Sequence, residues 1–313
     1  KAPGATERRQ HKTITETFTT GACVLMKIIR DSLQQIENFL AEVKKPYLSC
    51  SFGKDSLVVL HLTRQIRPDI SVIWVNTGVE YPSVVKLAHR LKDEWQLNLT
   101  EVKPEKTFWW VVENYGWPIG ARDGWTRDAK VVYKCCDTLK KKPLRKATKG
   151  FDGYIDGLTA SESRTRLNLS IKLERKGQSY FYHTKNKKYV LHPILDWRVR
   201  DVWKYIEAND IPYPVVYDQE VGNYTKFGFV TKVFGHELDR CIRVGCLVCV
   251  LPILFTPGPL AQLRTYYPKV WKLLMDKGLA QEIAKRKLGY DNQPSLIPLD
   301  WWLKERPCWF DKI

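Results

Sequence analysis

The chain has 313 residues, of which 44% are hydrophobic and 12% aromatic, and this is enough apolar material to bury a substantial core. It contains no apolar run of the roughly 20 residues that a membrane-spanning helix needs, and its N-terminus lacks the apolar stretch of a signal peptide, so we predict a cytoplasmic protein without membrane contact. The net charge of +17 favours anionic partners, either nucleic acid or small multiply charged substrates, and does not choose between them.

The first half of the chain alternates between strand and helix patterns. Apolar residues at helical spacing predict a first helix over residues 20–43. There follow strand 47–51, helix 55–66, strand 71–76, helix 82–95 and strand 98–102. Such alternation predicts an α/β fold, a parallel sheet flanked by helices, with a ligand at the carboxyl ends of the strands. Ser51 and Thr77 both fall at such ends.

The second half of the chain is less regular. A tryptophan-rich stretch, residues 108–125, shows little periodicity. The later segments read as a strand at 153–157, a hairpin of 180–182 with 189–191, and a helix at 201–206. Pro259 and Pro268 stand where helices can begin and Gly278 where one can end, which predicts a mostly helical C-terminal extension. We divide the chain into an N-terminal helical segment (1–45), an α/β domain (46–255) and a helical extension (256–313).

A short polar stretch between the first strand and the next helix has the composition of a phosphate-binding turn. It reads Ser51, Phe52, Gly53, Lys54, Asp55 and Ser56. Gly53 can adopt a positive φ and lets the backbone approach a ligand, and a helix N-terminus favours an anion. Lys54 supplies a charge, and the two serines supply hydroxyl donors. The alternative is an ordinary turn capped by Asp55 or Ser56. The spacing is not that of a Walker A loop.

Five of the 8 cysteines fall into two groups about a hundred residues apart. The pair Cys246-x-x-Cys249 is compatible with a redox pair, a zinc site or two ligands of an iron-sulfur cluster. Cys135, Cys136 and Cys241 make isolated buried thiols a poor explanation. Adjacent cysteines suit a cluster that offers several irons, whereas a structural zinc usually recruits two separated C-x-x-C pairs. A protein without metal remains an alternative.

Arg164 and Arg166 follow the predicted strand at 153–157. Planar guanidinium groups at that edge of the sheet suit sulfate or phosphate oxygens. The alternative is a surface loop whose charges are satisfied by solvent and neighbours.

Five motifs, taken in order, resemble the PAPS/APS reductase family of the PP-loop adenine nucleotide α-hydrolase superfamily. They are the stretch 51–56, the segment 72–82, the tandem cysteines 135–136 followed by Lys140 to Leu144, the arginine loop 157–166, and the second cysteine pair in 245–249. Together they cover roughly residues 47 to 250, and the form Ser-Phe-Gly in the first motif is the one most similar to this family.

The resemblance implies a Rossmann-like PP-loop fold, an adenine nucleotide and a 4Fe-4S cluster. The nucleotide is PAPS, APS or ATP, with Mg²⁺ if it is ATP. Its implied binding residues are Ser51 to Ser56 together with Asn76, Thr77 and Gly78. The implied cluster ligands are Cys135, Cys136, Cys246 and Cys249, with Cys241 as an extra candidate. Lys54, Arg164 and Arg166 are the implied substrate-gripping residues. A thiol electron donor such as thioredoxin is the implied partner, and a homo-oligomer is compatible with the sequence.

The chain departs from the family at two places. The C-terminal Glu-Cys-Gly-Xaa-His motif that carries the nucleophile is absent, and Cys308 is the cysteine nearest to that position. The pair Lys54-Asp55 looks more like the ATP-cleaving PP-loop enzymes. The first hypothesis is therefore a reductase that converts nucleotide-activated sulfate to sulfite. The alternatives are an ATP pyrophosphatase-type sulfur transferase that thiolates tRNA or the DNA backbone, and a non-catalytic nucleotide-sensing or DNA-binding partner.

Overall fold

The computed structural model describes residues 7–119, 134–233, 235–249 and 258–282. Its strands, in chain order, are β1 (Pro46–Ser49), β2 (Ser71–Val75), β3 (Leu99–Val102), β4 (Gly153–Asp156), β5 (Tyr180–His183), β6 (Lys188–Leu191), β7 (Phe229–Val233) and β8 (His236–Arg240). The first six form one sheet in the order β3-β2-β1-β4-β6-β5, and β7 and β8 form a separate antiparallel ribbon.

The sheet is parallel except at one edge. β1 pairs in parallel with β2 on one side and β4 on the other, β2 pairs in parallel with β3, and β4 with β6. β5 is antiparallel to β6, which confirms the predicted hairpin. Because the chain runs outward from β1 to β2 and later places β4 on the other side of β1, the sheet reverses its winding between β1 and β4. A ligand crevice forms outside the carboxyl ends of the strands at such a switch point.

Helices cover the sheet, as the alternating pattern predicts. They are α1 (Glu7–Glu42), α2 (Lys54–Ile66), α3 (Pro82–Glu94), α4 (Phe108–Tyr115), α5 (Lys142–Ala147), α6 (Arg164–Arg175), α7 (Val199–Ala208), α8 (Gly258–Tyr266) and α9 (Pro268–Asp276). A π-helical turn, Asp137–Lys141, leads into α5. In the described part of the chain, no helix has the length and apolar character to cross a membrane.

Helix α2 is the centre of the main core. Leu57, Val58, Val59 and Leu60 follow one another along it, and all four are fully buried, at 0% exposure. A helix that is apolar on every side must be enclosed, and α2 packs against both α1 and α7. From α1, Ile36 joins the same core. The phosphate-loop turn therefore begins a helix that is held rigidly on several sides.

Two helices differ from the sequence predictions. Helix α1 begins at Glu7, well before the predicted residue 20, because its polar first half carries no apolar periodicity to detect. Helix α4 occupies the start of the tryptophan-rich stretch, where little periodicity is visible. Its start is fixed by a cap, since the Thr107 side chain accepts a hydrogen bond from the Trp110 N–H at 3.1 Å. It ends at Gly116, whose φ is 83°.

A second apolar cluster joins the C-terminal helices to the region of the cysteines. Its buried members come from α4, α8, α9 and the segments beside both cysteine pairs: Phe108, Val111, Trp117, Ile119, Leu139, Val248, Leu260, Leu263, Leu274, Met275 and Leu279. Leu139 is close in sequence to Cys136, and Val248 precedes Cys249. Burial of these two side chains in one cluster brings the two cysteine pairs to the same side of the molecule.

Candidate functional site

The turn after β1 contains the predicted phosphate loop, and its left-handed residue is Phe52. Phe52 has a φ of 55°, whereas Gly53 has a φ of −82°. The expectation that Gly53 adopts a positive φ is therefore wrong. The Phe52 ring is fully buried and packs edge-on against Trp74, with ring centroids 5.5 Å apart, and this burial offsets the backbone strain. Gly53 provides space instead, because a β-carbon there would stand 3.2 Å from the Tyr217 hydroxyl.

Helix α2 opens onto this turn without a local side-chain cap. Gly53 is the N-cap residue and provides no capping hydrogen bond. The acceptor comes instead from far along the chain, since the buried Tyr217 hydroxyl accepts from the Lys54 backbone N–H at 2.9 Å. An N-terminus with a weak local cap and an aligned helix dipole is a favourable site for an anion.

The Lys54 side chain is buried, with 1% exposed, and its charge is paired within the loop. Its ammonium donates to both carboxylate oxygens of Asp55, at 2.8 and 2.6 Å. The Ser51 and Ser56 hydroxyls lie 3.3 Å apart, and Ser56 also donates to the Gly53 carbonyl at 2.9 Å. The lysine is therefore enclosed within the loop, and Ser51, Gly53, Asp55 and Ser56 form the surface that a phosphate would meet.

A cleft of about 880 Å³ lies at the switch point of the sheet. It brings the loop after β1 together with the end of β4, where Asp156 and Gly157 lie. Basic side chains from other elements complete its wall, and they include Lys140, Arg166 and Arg243. The predicted position of the ligand, at the carboxyl ends of the strands, therefore coincides with a cavity large enough for a nucleotide, and Ser51 lines it whereas Thr77 does not.

Arg166 reaches the cleft, whereas Arg164 is exposed and is not part of its lining. The predicted arginine loop is in fact the first turn of α6, and the Ser163 hydroxyl caps it by accepting from the Arg166 N–H at 3.4 Å. The Arg166 guanidinium pairs with the carboxylate of Glu162. Burial, together with the nearby guanidinium of Arg243, lowers the pKa of Arg166 below its usual range. Helical geometry thus separates two arginines that the sequence suggests as partners.

The turn after β2 is tied to the cysteine segment. Thr77 donates its hydroxyl to Glu80 at 2.8 Å, and the same hydroxyl lies 3.4 Å from the Cys246 sulfur. Asn76 accepts from the Gly78 N–H at 3.0 Å, and Gly78 has a φ of 80°, which suits glycine. Asn76, Thr77 and Gly78 therefore shape the turn through protein contacts.

Glu80 is the member of this turn that lines the cleft. It forms an isolated antiparallel bridge with Cys246, so the cleft wall continues into the cysteine segment. Burial raises the pKa of the Glu80 carboxyl, while the Thr77 hydroxyl and the Lys140 ammonium act in the opposite direction. Lys140, on the π-helical turn, thus lies close to both the cleft and this bridge.

The two predicted cysteine pairs share one neighbourhood. Burial raises the pKa of Cys135 to about 12, and the thiols of Cys136 and Cys249 add to this effect. Burial also raises the pKa of Cys246 to about 12, with Glu80 and Cys249 as further causes. Cys135 packs against the apolar cluster that contains Val248, the neighbour of Cys249, so the two pairs lie on the same side of the molecule. In the part of the chain that the structure describes, no three or more cysteine, histidine or acidic side chains are grouped closely enough to hold a single metal ion.

Cys241 lies elsewhere, beside the phosphate loop. It is buried, and burial raises its pKa, while the charged groups that act on it include Lys54, Asp55 and Arg243. Neither tandem cysteine is among those groups. Cys50 is also buried, and its thiol lies 3.6 Å from the Ser56 hydroxyl, as a small core residue under the loop. Cys308 lies outside the described residues.

Four residues of the site were missed in the sequence. Gly157 allows the end of β4 to approach α2, and Tyr217 caps α2. Arg243 extends the cationic wall of the cleft, and Glu162 is the carboxylate beside both Arg166 and Arg243. Arg243 stands three residues before Cys246, and this proximity to a recognised motif was the available signal. Tyr217 carries no such signal, because its contact joins residues 163 positions apart.

Comparisons with known proteins agree with this architecture. The family model for the phosphoadenosine phosphosulfate reductase domain matches residues 45–252. A phosphoadenosine 5'-phosphosulfate reductase of Xanthomonas axonopodis pv. citri is 32% identical over 174 residues, which are 55% of this chain and 66% of the relative. An adenosine 5'-phosphosulfate reductase of Staphylococcus epidermidis is 31% identical over 199 residues, which are 62% of this chain and 74% of the relative.

One solved structure is also similar to part of this chain. The phosphoadenylyl-sulfate (PAPS) reductase of Candida auris, crystallised as a phosphate complex, aligns with a TM-score of 0.46 and 17% identity over 61% of this chain and 86% of that chain. The chain spans about two thirds of the length of the first curated relatives, at 66% and 68%. Since the family model covers more than half of the sequence, the chain belongs to the phosphoadenosine phosphosulfate reductase domain family.

Proposed function

We propose that this protein binds a sulfonucleotide, APS or PAPS, in the cleft and reduces its activated sulfate to sulfite. The observation that carries the proposal is the meeting of the α2 N-terminus with Arg166 at the switch point of the sheet, in a chain of this family. A helix N-terminus and a guanidinium both favour tetrahedral oxyanions. The relatives with this domain bear the names of phosphoadenosine and adenosine phosphosulfate reductases, which supports the choice of substrate.

The residues divide into three roles in this proposal. Ser51 to Ser56 bind the phosphate through the α2 backbone and the serine hydroxyls, and Lys54 exchanges Asp55 for a phosphate oxygen. The turn Asn76 to Gly78 shapes the β2 side of the nucleotide site and positions Glu80 in its wall. Arg166 binds the sulfate and stabilises the charge that collects on the phosphate oxygen as the bond to sulfur breaks.

The proposed reaction uses a protein thiolate and an external dithiol. The thiolate attacks the sulfate sulfur, a sulfur–sulfur bond forms, and the bond from sulfur to the phosphate oxygen breaks with its electron pair, which releases AMP or its 3′-phosphate derivative. A donor dithiol such as thioredoxin then attacks the protein sulfur, sulfite leaves with the electron pair, and the donor ends as a disulfide once its second thiol has displaced the protein thiolate. Cys308 is the proposed nucleophile.

A 4Fe-4S cluster on Cys135, Cys136, Cys246 and Cys249 is the second part of the proposal. Cys135 packs against the apolar cluster that contains Val248, the neighbour of Cys249, which brings the two pairs to one side of the molecule, and the ligands of such a cluster bind separate irons. When bound, the cluster supplies a charged inorganic group beside the wall of the cleft formed by Glu80 and Lys140. Cys241 is left out of this ligand set, because its charged neighbours belong to the phosphate loop.

Iron and acid-labile sulfide in anaerobically purified protein test the cluster. Cys246→Ala is expected to lose both, whereas Cys241→Ala, a buried cysteine changed in the same way, is expected to keep them. Retention of iron by Cys246→Ala, or stoichiometric zinc without sulfide in the parent protein, contradicts the cluster.

Sulfite release from APS and PAPS, with a dithiol donor, tests the activity. The parent protein is expected to release sulfite, and Cys308→Ser to bind nucleotide without releasing it. AMP release from ATP that depends on tRNA or DNA, with no sulfite from either sulfonucleotide, overturns the proposal in favour of a sulfur transferase. Nucleotide binding without turnover of any of the three favours a sensor.

A further inference from the structure

Arg166 and Arg243 converge on one buried carboxylate in the wall of the cleft. Glu162 is 7% exposed and pairs with the Arg166 guanidinium. The Arg243 Nε lies 3.7 Å from the Glu162 carboxylate, and the Arg243 Nη2 donates to the Glu162 backbone carbonyl at 2.8 Å. Each guanidinium has five N–H donors in a fixed plane, so these contacts leave donors on both arginines for a ligand.

The carboxylates around the two arginines are already engaged in contacts within the protein. Two guanidinium groups share the single carboxylate of Glu162. The other carboxylates that act on Arg166 have partners of their own, since Asp55 binds Lys54 and Asp156 lies 2.6 Å from the His192 Nδ1. The guanidinium donors that Glu162 does not use therefore lie in the wall of a partly buried cleft, where an anion interacts more strongly than it does in bulk water.

Arg243 is attached to a segment that touches the phosphate loop. A β-carbon on Gly53 would stand 3.5 Å from the Val244 Cβ, so the chain directly after Arg243 packs against the turn that begins α2. Arg243, Gly53 and Arg166 all line the same cleft. An anionic group that extends from a phosphate at the α2 N-terminus would thus meet the two guanidiniums next.

We propose that Arg243 and Arg166 together clamp the terminal oxyanion of the bound nucleotide, with Glu162 holding the two guanidiniums at the required separation. This assignment rests on nucleotide binding in the proposed function, and it extends that function by naming a second arginine and the ligand group that it binds. The group is a tetrahedral oxyanion beyond the α-phosphate. The sulfate of APS and the outer phosphates of ATP share this chemistry.

Affinities for AMP, APS and ATP test the clamp, measured by calorimetry on the full chain with the variants Arg243→Gln and Arg243→Lys. Arg243→Gln is expected to weaken binding of the nucleotide that carries the oxyanion by about 10- to 100-fold, and that of AMP by less than about 2-fold. Arg243→Lys is expected to lose less affinity than Arg243→Gln, because lysine keeps the positive charge but lacks the planar pair of N–H donors of a guanidinium. The control is Arg175→Gln, an exposed arginine on the same helix as Arg166, which is expected to change none of the three.

The AMP measurement also shows whether the variant is folded. Equal losses for AMP and for the longer nucleotides overturn the clamp in favour of a structural role, and so does unchanged affinity for all three. Selective loss with APS supports both the clamp and the reductase. Selective loss with ATP alone, in a protein that releases no sulfite, supports the clamp while the reductase fails, so the two proposals are separable.

Discussion

The backbone of Gly157 lies directly against that of Asp55. A β-carbon on Gly157 would stand 2.6 Å from the Asp55 carbonyl carbon and 2.7 Å from the Ser56 nitrogen. No side chain can be accommodated at those distances. The end of β4 can approach the first turn of α2 this closely because residue 157 is a glycine. This contact sets the width of the cleft at the switch point.

Gly157→Ala is expected to push β4 and α2 apart, because the atoms that the new methyl group meets are backbone and cannot rotate away. We expect a loss of about 2 to 4 kcal/mol in the free energy of unfolding, in the range of strained or overpacked sites. Urea unfolding measures it. Gly245→Ala is the matched control, since a β-carbon there would meet nothing within 4 Å, and an equal loss in both variants contradicts this reasoning.

The left-handed residue of the phosphate loop gives a second prediction. In Phe52→Gly, relief of the strained φ of 55° should stabilise the fold by about 1 to 2 kcal/mol. Loss of a fully buried ring should destabilise it by about 3 to 5 kcal/mol, which is the larger effect. We therefore expect net destabilisation. A gain in melting temperature for this variant would show that Phe52 is retained for reasons other than packing against Trp74.

Removal of the Tyr217 hydroxyl tests the remote cap of α2. In Tyr217→Phe, the Lys54 backbone N–H loses its acceptor inside the protein, and we expect a cost of about 1 to 3 kcal/mol. Tyr213→Phe is the control, because the Tyr213 hydroxyl makes a longer, exposed contact of 3.3 Å with Asp218. Chemical unfolding compares the two, and similar small effects would mean that Tyr217 contributes only apolar contacts.

The local sequence pattern was enough to predict the first half of the sheet and the helices that cover it. The alternation of short apolar runs with helical patterns predicted the strands β1 to β3 and helices α2 and α3 within a few residues, and from them the parallel sheet. The same logic placed the loop of Ser51 to Ser56 at a strand end, where the cleft lies. These features depend on neighbours in sequence, which is why a single sequence carries them.

The parts that sequence reasoning missed depend on distant contacts. The positive φ lies at Phe52 and not at Gly53, and the contact that needs a glycine at position 53 comes from the distant Tyr217 hydroxyl, which local propensity does not contain. Arg164 and Arg166 diverge because Ser163 caps a helix whose first turn contains both of them, and residues two apart do not share a helix face. Arg243 joins the site only because β8 returns the chain to the cleft. Such relationships are set by tertiary packing, which overrides single-residue preference.

The segment that carries Arg243 and Cys246 is anchored at its base by Asp239. Two hydrogen bonds join its carboxylate to the Arg198 guanidinium, at 2.8 and 3.1 Å, and a third comes from the Val199 N–H at 3.3 Å. Burial alone would raise the pKa of Asp239, but the hydrogen bonds from Arg198 and Val199 outweigh it, and the pKa lies below its ordinary value. The start of α7 is thus held to β8.

Asp239→Asn is expected to lower stability in a way that depends on pH. Because the folded state depresses the pKa of Asp239, the ionised carboxylate stabilises the fold above the ordinary aspartate pKa of about 3.9, and this contribution is lost as the pH falls through the lower pKa of the folded state. At pH 7 we expect a cost of about 1 to 2 kcal/mol, the lower part of the range for charged hydrogen bonds, because the Arg198 side chain is 38% exposed and screened by solvent. Urea unfolding of the parent and variant at pH 7 and at about pH 3 measures the difference, which should shrink at the lower pH. Asp210→Asn, at an exposed turn, is the control and should show no such narrowing. If the difference in unfolding free energy between parent and variant stays constant with pH, the effect of Asp239 comes from packing and not from its charge.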